Sequence, residues 1–294
     1  MTTEIQLGGV FTVNRIGYGT MRLGAQEPGF DEAMLHVWRA PADRQAALAL
    51  LRHAVESGVN LIDTADAYAL GETEELIAEA LAPYRDDVVV ATKVGAVHPT
   101  PTEWIPLGHP AYLRQQAELS LRRLRTDRID LLQLHRIDPA YPLADQVGAL
   151  RQLVDEGKVR HIGLSEVSVE EIRAAAAIAP IASVQNLYNL THREAEDVVE
   201  YTAAQGIAFL PWFPLGSGAH AAETGVLAEV AAEVAATPVQ VSLAWLLHRS
   251  PTMLPIPGTT SPAHLEQNIA AAGIRLSDAQ FERLSNVAAP TAAE

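Results

Sequence analysis

The chain has no cysteine, which removes disulfides and thiolate metal sites and is compatible with a reducing compartment. It also lacks any run approaching the ~20 apolar residues of a membrane-spanning helix. Its opening residues, Met1 to Leu7, show no basic stretch followed by an apolar core. Neither an export signal nor a membrane span is expected, and the expected location is cytoplasmic. Positive charge is scarce: 21 Lys and Arg face 36 Asp and Glu, a formal net charge of −15. That field repels phosphate backbones and anionic lipid surfaces, so nucleic acid and membrane are not expected partners. The local basic cluster of Arg122, Arg123, Arg125 and Arg128 falls at a predicted helix end, where solvated cations suit the dipole.

What the chain does have is apolar material, 48% of its residues, enough for one large core. No low-complexity linker divides it, so residues 1–294 are read as one domain, with a barrel core over about 13–285. Gly8-Gly9, between two short apolar stretches, signals a two-residue β-hairpin over 4–13. After it, short runs rich in Val, Ile and Leu alternate with longer amphipathic segments. The strand candidates are 15–20, 59–64, 88–94, 129–135, 159–165, 183–188, 207–212 and 253–256. Helical patterns follow at 44–57, 72–82, 112–124, 144–156, 170–179, 195–204, 238–248 and 262–271, several of them stopping at glycine. Eight β-then-α units imply parallel strands with right-handed crossovers, and eight closes a barrel. The expected fold is therefore α/β, a (β/α)8 TIM barrel with an N-terminal β-hairpin; a doubly wound open sheet is the alternative. Two longer segments, 23–41 and 96–110, emerge at the face where barrel loops build active sites. They carry Phe30, His36, Trp38, Trp104 and His109, candidate substrate-pocket walls, with Trp38 and Trp104 the foremost.

Chemistry concentrates at the ends of the second, third and fourth strands. Leu61-Ile-Asp63-Thr-Ala-Asp66-Ala-Tyr68 puts an acid at a strand end and a tyrosine five residues on. Val90-Ala-Thr-Lys93-Val94 carries a lysine in a run so apolar that burying it demands an anionic partner. Asp130-Leu-Leu-Gln-Leu-His135 supplies an imidazole. In a barrel these strands are neighbours, so Asp63, Lys93 and His135 converge at one rim and Tyr68 reaches in from the following loop. A phenol with a pKa near ~10 is a sluggish acid at pH 7. A nearby ammonium would lower it, Asp63 can orient that ammonium, and His135 can hydrogen-bond a carbonyl oxygen gaining charge.

These residues, with Gly17-Tyr-Gly-Thr-Met21, Thr92-Lys93, Ile162-Gly-Leu-Ser165 and Val184-Gln-Asn-Leu-Tyr-Asn189, closely resemble the aldo-keto reductase superfamily from about residue 13 to 285. The resemblance implies a catalytic tetrad of Asp63, Tyr68, Lys93 and His135. It implies carbonyl reduction with hydride from NADPH and a proton from Tyr68. Ser165 and Gln185 match positions that hold the nicotinamide carboxamide, and Trp212 matches the aromatic on which the ring stacks. Thr20 and Met21 fall in the cofactor-binding set, and Phe213, Pro214, Leu215, Gly216 and Ser217 resemble the loop over the pyrophosphate. The segment from Ile256 to Asn268 resembles the adenosine-binding stretch, with Gly258, Thr259, Thr260 and His264 near the phosphate and Gln267 and Asn268 on the adenine.

The chain departs from the family pattern in two ways. Glu166 stands where Asn is common and can accept from the carboxamide nitrogen but cannot donate to its oxygen. Thr259, Thr260 and His264 stand where many members place Lys or Arg against the 2′-phosphate, a weaker phosphate site than a guanidinium fork. NADPH is the expected cofactor and NADH the second. The stretches 13–21, 209–215 and 256–260 look most like the bacterial pyridoxal reductase branch, which makes pyridoxal a candidate among small carbonyl substrates. The alternative function is a cofactor-binding sensor or regulatory subunit with little turnover. No metal site is expected, since no H-x-H strand pattern and no H-E-x-x-H occurs. The incomplete G-x-G at Gly17 and Gly19, broken by Arg22, reads as tight backbone geometry rather than a dinucleotide fingerprint.

Overall fold

The computed structural model describes residues 3–24, 39–82, 85–101, 103–216 and 225–287. An antiparallel hairpin of β1 (Glu4–Leu7) and β2 (Phe11–Asn14) opens the chain. Leu7 pairs with Phe11, so the connection holds three residues, and Gly8 and Gly9 take positive φ of 60° and 73°. The main sheet runs through β3 (Tyr18–Gly19), β4 (Leu61–Asp63), β5 (Val89–Val94), β8 (Ile129–Leu134), β9 (Val159–Ser165), β10 (Ile181–Gln185) and β11 (Ala208–Phe209), hydrogen-bonded in that order and all parallel. Between β5 and β8 the short antiparallel pair β6 (Ala96–Val97) and β7 (Ile105–Pro106) folds the 96–110 segment over one rim.

The eighth strand expected at 253–256 appears as an isolated bridge, Phe209 with Met253, yet it closes the ring. Leu254 donates to Phe209 O (2.8 Å), and Gly17 donates to Pro255 O (2.9 Å). Pro255 and Pro257 have no N–H to return, so this segment cannot form a regular ladder. Gly19 permits the closure: a Cβ there would sit 2.5 Å from Ile256 O. The barrel expected from eight units is thus the architecture observed.

Helices cover the outside: α1 (Arg44–Glu56), α2 (Glu72–Leu81), α3 (Pro110–Leu124), α4 (Leu143–Asp155), α5 (Val169–Ala176), α6 (Glu196–Gln205), α7 (Val226–Glu233), α8 (Pro238–Arg249), α9 (Pro262–Ala270) and α10 (Asp278–Val287). Local chemistry explains their starts. Asp43 caps α1, and Ser168 with Glu171 and Thr237 with Gln240 form capping boxes on α5 and α8. Sequence periodicity did not resolve α7 or α10. Arg123 also departs from the solvated-cluster expectation: its Nε donates to Glu74 (2.6 Å), a fully buried carboxylate.

Two apolar compartments result. Leu132, Leu150, Val184 and Trp245 belong to the layer between sheet and helices. Leu61, Val89, Ala91, Leu131, Leu210 and Leu254 fill the barrel interior, and Leu7 and Val13 of the hairpin plug its floor. Strand alternation then carries the same inward faces upward to Asp63, Lys93 and Gln133 at the C-terminal rim. Among the described residues no single helix is long and apolar enough to cross a membrane; the bent pair α7 and α8 has the composition, but Val230, Trp245 and Leu246 are buried in the core.

Candidate active site

The rim polar residues meet where the strand register puts them. Lys93 Nζ lies 2.6 Å from Asp63 Oδ2, donates to Thr64 O (2.9 Å), and lies 3.4 Å from the Tyr68 hydroxyl. All three of Asp63, Tyr68 and Lys93 are buried. The other oxygen of Asp63 accepts from Gln133 Nε2 (3.1 Å) and Gln185 Nε2 (2.9 Å). Gly163 makes the room: a Cβ there would meet Ser183 Oγ at 2.2 Å and Gln133 Cγ at 2.8 Å. Tyr68 opens a short 3-10 turn after β4, and its ring stands edge-on to His135 with centroids 6.1 Å apart. Trp104, exposed on the rim, makes edge contacts with Tyr68, His135 and His98.

Burial and charge tune these groups in different directions. Burial pushes the Tyr68 phenol above its ordinary value, and the Lys93 ammonium works against that rise without cancelling it. The net direction is opposite to the one expected from the ammonium alone. Burial would lower the Lys93 ammonium, but Asp63 and Tyr68 outweigh it and hold the pKa above the ordinary value. His135 is driven well below its ordinary value, first by burial and then by Lys93, Arg136 and His98. Its imidazole is therefore neutral at pH 7, with Nδ1 buried and unpartnered.

These residues form one end of a cavity of about 980 Å³ that crosses the barrel rim. Asp63, Tyr68, Trp104, His135, Ser165, Gln185 and Trp212 line it there. Phe213, Pro214, Leu215 and Gly216 form one flank; Asn189 Nδ2 holds that turn through Phe213 O (3.0 Å), with Phe213 at φ 56°. Gly258, Thr259, Thr260, His264, Gln267 and Asn268 line it at the start of α9, where Ser261 caps the helix. Tyr18 donates to Thr259 O (2.6 Å) and fixes that segment against β3.

Two of the residues expected at the cofactor do not line the cavity. Thr20 is buried with its hydroxyl donating to Asp63 O (2.9 Å), while its neighbour Met21 does line the cavity. Glu166 is exposed and bonded to Trp212: its Oε1 accepts from the indole N–H and from Leu187 N (2.7 Å). His109 is exposed and caps α3 by accepting from Ala111 N, so it is not a pocket wall. Trp38, Phe30, His36 and Ser217 lie outside the described residues. Sequence reasoning missed three residues. Gln133 props Asp63, and its signal was a lone amide in an apolar strand. Arg136 lines the reactive end, and Arg22 lines the cavity beside Gly258. Among the described residues no group of His, Asp and Glu could hold a metal ion.

A closed β/α barrel with its polar cluster at the C-terminal rim is the enzyme class of the TIM barrels. The aldo/keto reductase family model matches residues 15–289, and the chain belongs to that family, an NAD(P)H-dependent oxidoreductase. It is 41% identical over 285 residues to pyridoxine 4-dehydrogenase of Escherichia coli K12, covering 95% of this chain and 96% of that one. It is 45% identical over 276 residues to an uncharacterized oxidoreductase of Schizosaccharomyces pombe, covering 94% and 87%. Among solved structures, an aldo/keto reductase from Klebsiella pneumoniae in complex with NADP and acetate superposes with a TM-score of 0.82 at 30% identity, covering 100% of this chain and 98% of that one. A thermostable aldo-keto reductase in complex with an inhibitor gives 0.85 at 28%, covering 97% and 100%.

Proposed function

We propose that the protein reduces an aldehyde or ketone to an alcohol with NADPH, and that Tyr68 is the general acid. The observation that carries this reading is the placement of Lys93 Nζ between the Asp63 carboxylate (2.6 Å) and the Tyr68 hydroxyl (3.4 Å), two residues that line the cavity. A phenol raised by burial is a poor acid until the phenolate it leaves is stabilised, and an ammonium held charged by Asp63 supplies that stabilisation. His135, neutral, can hydrogen-bond the substrate carbonyl oxygen without competing for its proton. Tyr68 then delivers the proton to that oxygen.

The donor set fits a nicotinamide dinucleotide. Ser165 and Gln185 offer polar atoms to a carboxamide and Trp212 a ring face. Phe213 to Gly216 offers a backbone turn to a pyrophosphate, and the start of α9 offers N–H groups and hydroxyls to an adenosine phosphate. Bound there, NADPH supplies the hydride. Arg22, an exposed residue whose Cβ lies near Gly258, adds a cation to the cavity lining that the sequence did not reveal. The Klebsiella relative's NADP complex supports NADPH as the cofactor, with NADH second. The name of the Escherichia coli relative makes pyridoxal the first substrate to try.

Initial rates of NADPH and NADH oxidation against a carbonyl panel that includes pyridoxal test this. Tyr68→Phe should lose about 10²–10⁴-fold in kcat, the range of a positioned proton donor, and keep cofactor binding. Tight binding of NADPH with no carbonyl reduced by the wild-type protein would instead favour a cofactor-sensing role.

A further inference from the structure

Arg136 is half-buried at the reactive end of the cavity, next to His135 in the chain. Its Nη1 donates to His135 O (2.7 Å) and Ser165 Oγ (3.1 Å), both neutral acceptors. Glu166 is the carboxylate that attracts it, but its Oε1 accepts from Trp212 and Leu187. Asp63 is committed to Lys93 and to two glutamine amides. Among the described residues the guanidinium has no carboxylate in ion-pair contact, and burial already weakens its hold on its proton. A partly desolvated cation facing a cavity, with one edge fixed and the rest of its fork unspent, is built to receive an anion. The bonds to His135 O and Ser165 Oγ hold the guanidinium beside the Tyr68–His135 cluster, where a substrate anion would meet it.

Resting on the reductase reading of this site, we infer that Arg136 is a specificity-determining residue that selects carbonyl substrates bearing an ionised oxygen beside the carbonyl carbon. Tyr68 and His135 take the carbonyl oxygen. Arg136, bonded to the backbone of His135 and close enough to Tyr68 for each to feel the other's charge, takes the neighbouring anion. An ortho-carboxylate and an ortho-phenolate both present an anionic oxygen to the fork, the first with two oxygens and the second with one. An aromatic aldehyde flanked by a ring hydroxyl, as in pyridoxal, belongs to this class.

The test compares 2-carboxybenzaldehyde, 2-hydroxybenzaldehyde (at a pH where it is ionised), 4-carboxybenzaldehyde and benzaldehyde as substrates of the wild-type protein, Arg136→Gln and Arg136→Lys. A charge-assisted bidentate contact is worth about 10- to 100-fold. The wild-type protein should therefore favour an ortho anion over the para anion by at least about tenfold in kcat/KM, mainly through KM. Arg136→Gln should erase that ratio and Arg136→Lys restore part of it. The two ortho compounds separate carboxylate from phenolate recognition. A ratio unchanged in Arg136→Gln, or no ortho preference in the wild-type protein, overturns the inference. If no aldehyde is reduced, benzaldehyde included, the reductase reading fails on its own account. Calorimetric titration of benzoate into the NADP-loaded protein then decides on Arg136: a Kd raised at least about tenfold in Arg136→Gln supports an anion site, and equal Kd values refute it.

Discussion

Glu166 holds Trp212: one carboxylate oxygen accepts from the indole N–H and, at 2.7 Å, from the backbone N–H of Leu187. The residue does this from a left-handed backbone conformation, φ 54°, which a glutamate adopts at a cost. Where the resemblance implies asparagine, this glutamate bonds Trp212, which lines the cavity, and does not itself line it.

Releasing that grip should loosen cofactor binding more than it loosens the fold. Glu166→Gly relieves the backbone strain and deletes the clamp, so its denaturation midpoint should stay near the wild-type value. Its Kd for NADPH, followed by tryptophan fluorescence, should rise about tenfold, the order of one lost charged hydrogen bond. Glu166→Gln, which keeps an acceptor, should fall between. A wild-type Kd in the glycine variant would mean that Trp212 needs no such support.

The Lys93–Asp63 pair is buried on both sides, with side chains 1% and 3% exposed. Removing one partner strands the other, so Lys93→Met should destabilise the protein by about 3–5 kcal/mol in urea titrations. Adding Asp63→Asn to Lys93→Met should recover much of that loss, because the remaining groups are neutral. Additive losses in the double variant would show that the pair's partners, not the uncompensated charge, set the cost.

Asp66 is buried with Oδ1 unpartnered, and its carboxyl is held well above the ordinary range by burial and by the neighbouring Glu74. Folded Asp66 keeps its proton at pH values where the unfolded carboxyl, near 3.8, has lost it. Its contribution to stability is therefore complete below that value and is lost as pH rises through the raised folded pKa. Asp66→Asn removes the titration. Its Tm should exceed the wild-type value at pH 8, and the gap should close towards pH 4. A gap independent of pH would show that Asp66 is not the group responsible.

The alternation of apolar runs and amphipathic segments was legible because each strand needs a buried face and each crossover helix a single apolar stripe. Eight such units, and the strand-end placement of Asp63, Lys93 and His135, followed directly. The eighth strand was legible as position but not as geometry, since Pro255 and Pro257 let it accept bonds from β3 but not return them. Helix α7 escaped notice because its Ala- and Val-rich run, Val226–Glu233, has no capping side chain to mark its start.

By itself, then, the sequence determined the barrel, its N-terminal hairpin and the set of polar residues brought to one rim, because these depend on pattern and on strand period. Tertiary structure alone decided which of those residues face the cavity. Thr20 turns its hydroxyl to Asp63 O, Glu166 turns to Trp212, Gln133 and Gln185 both turn to Asp63, and Arg136 is left with a free edge in the cavity. Each of these choices pairs residues 29 to 122 positions apart in sequence, and a buried polar atom bonds to whichever partner the packing brings within reach.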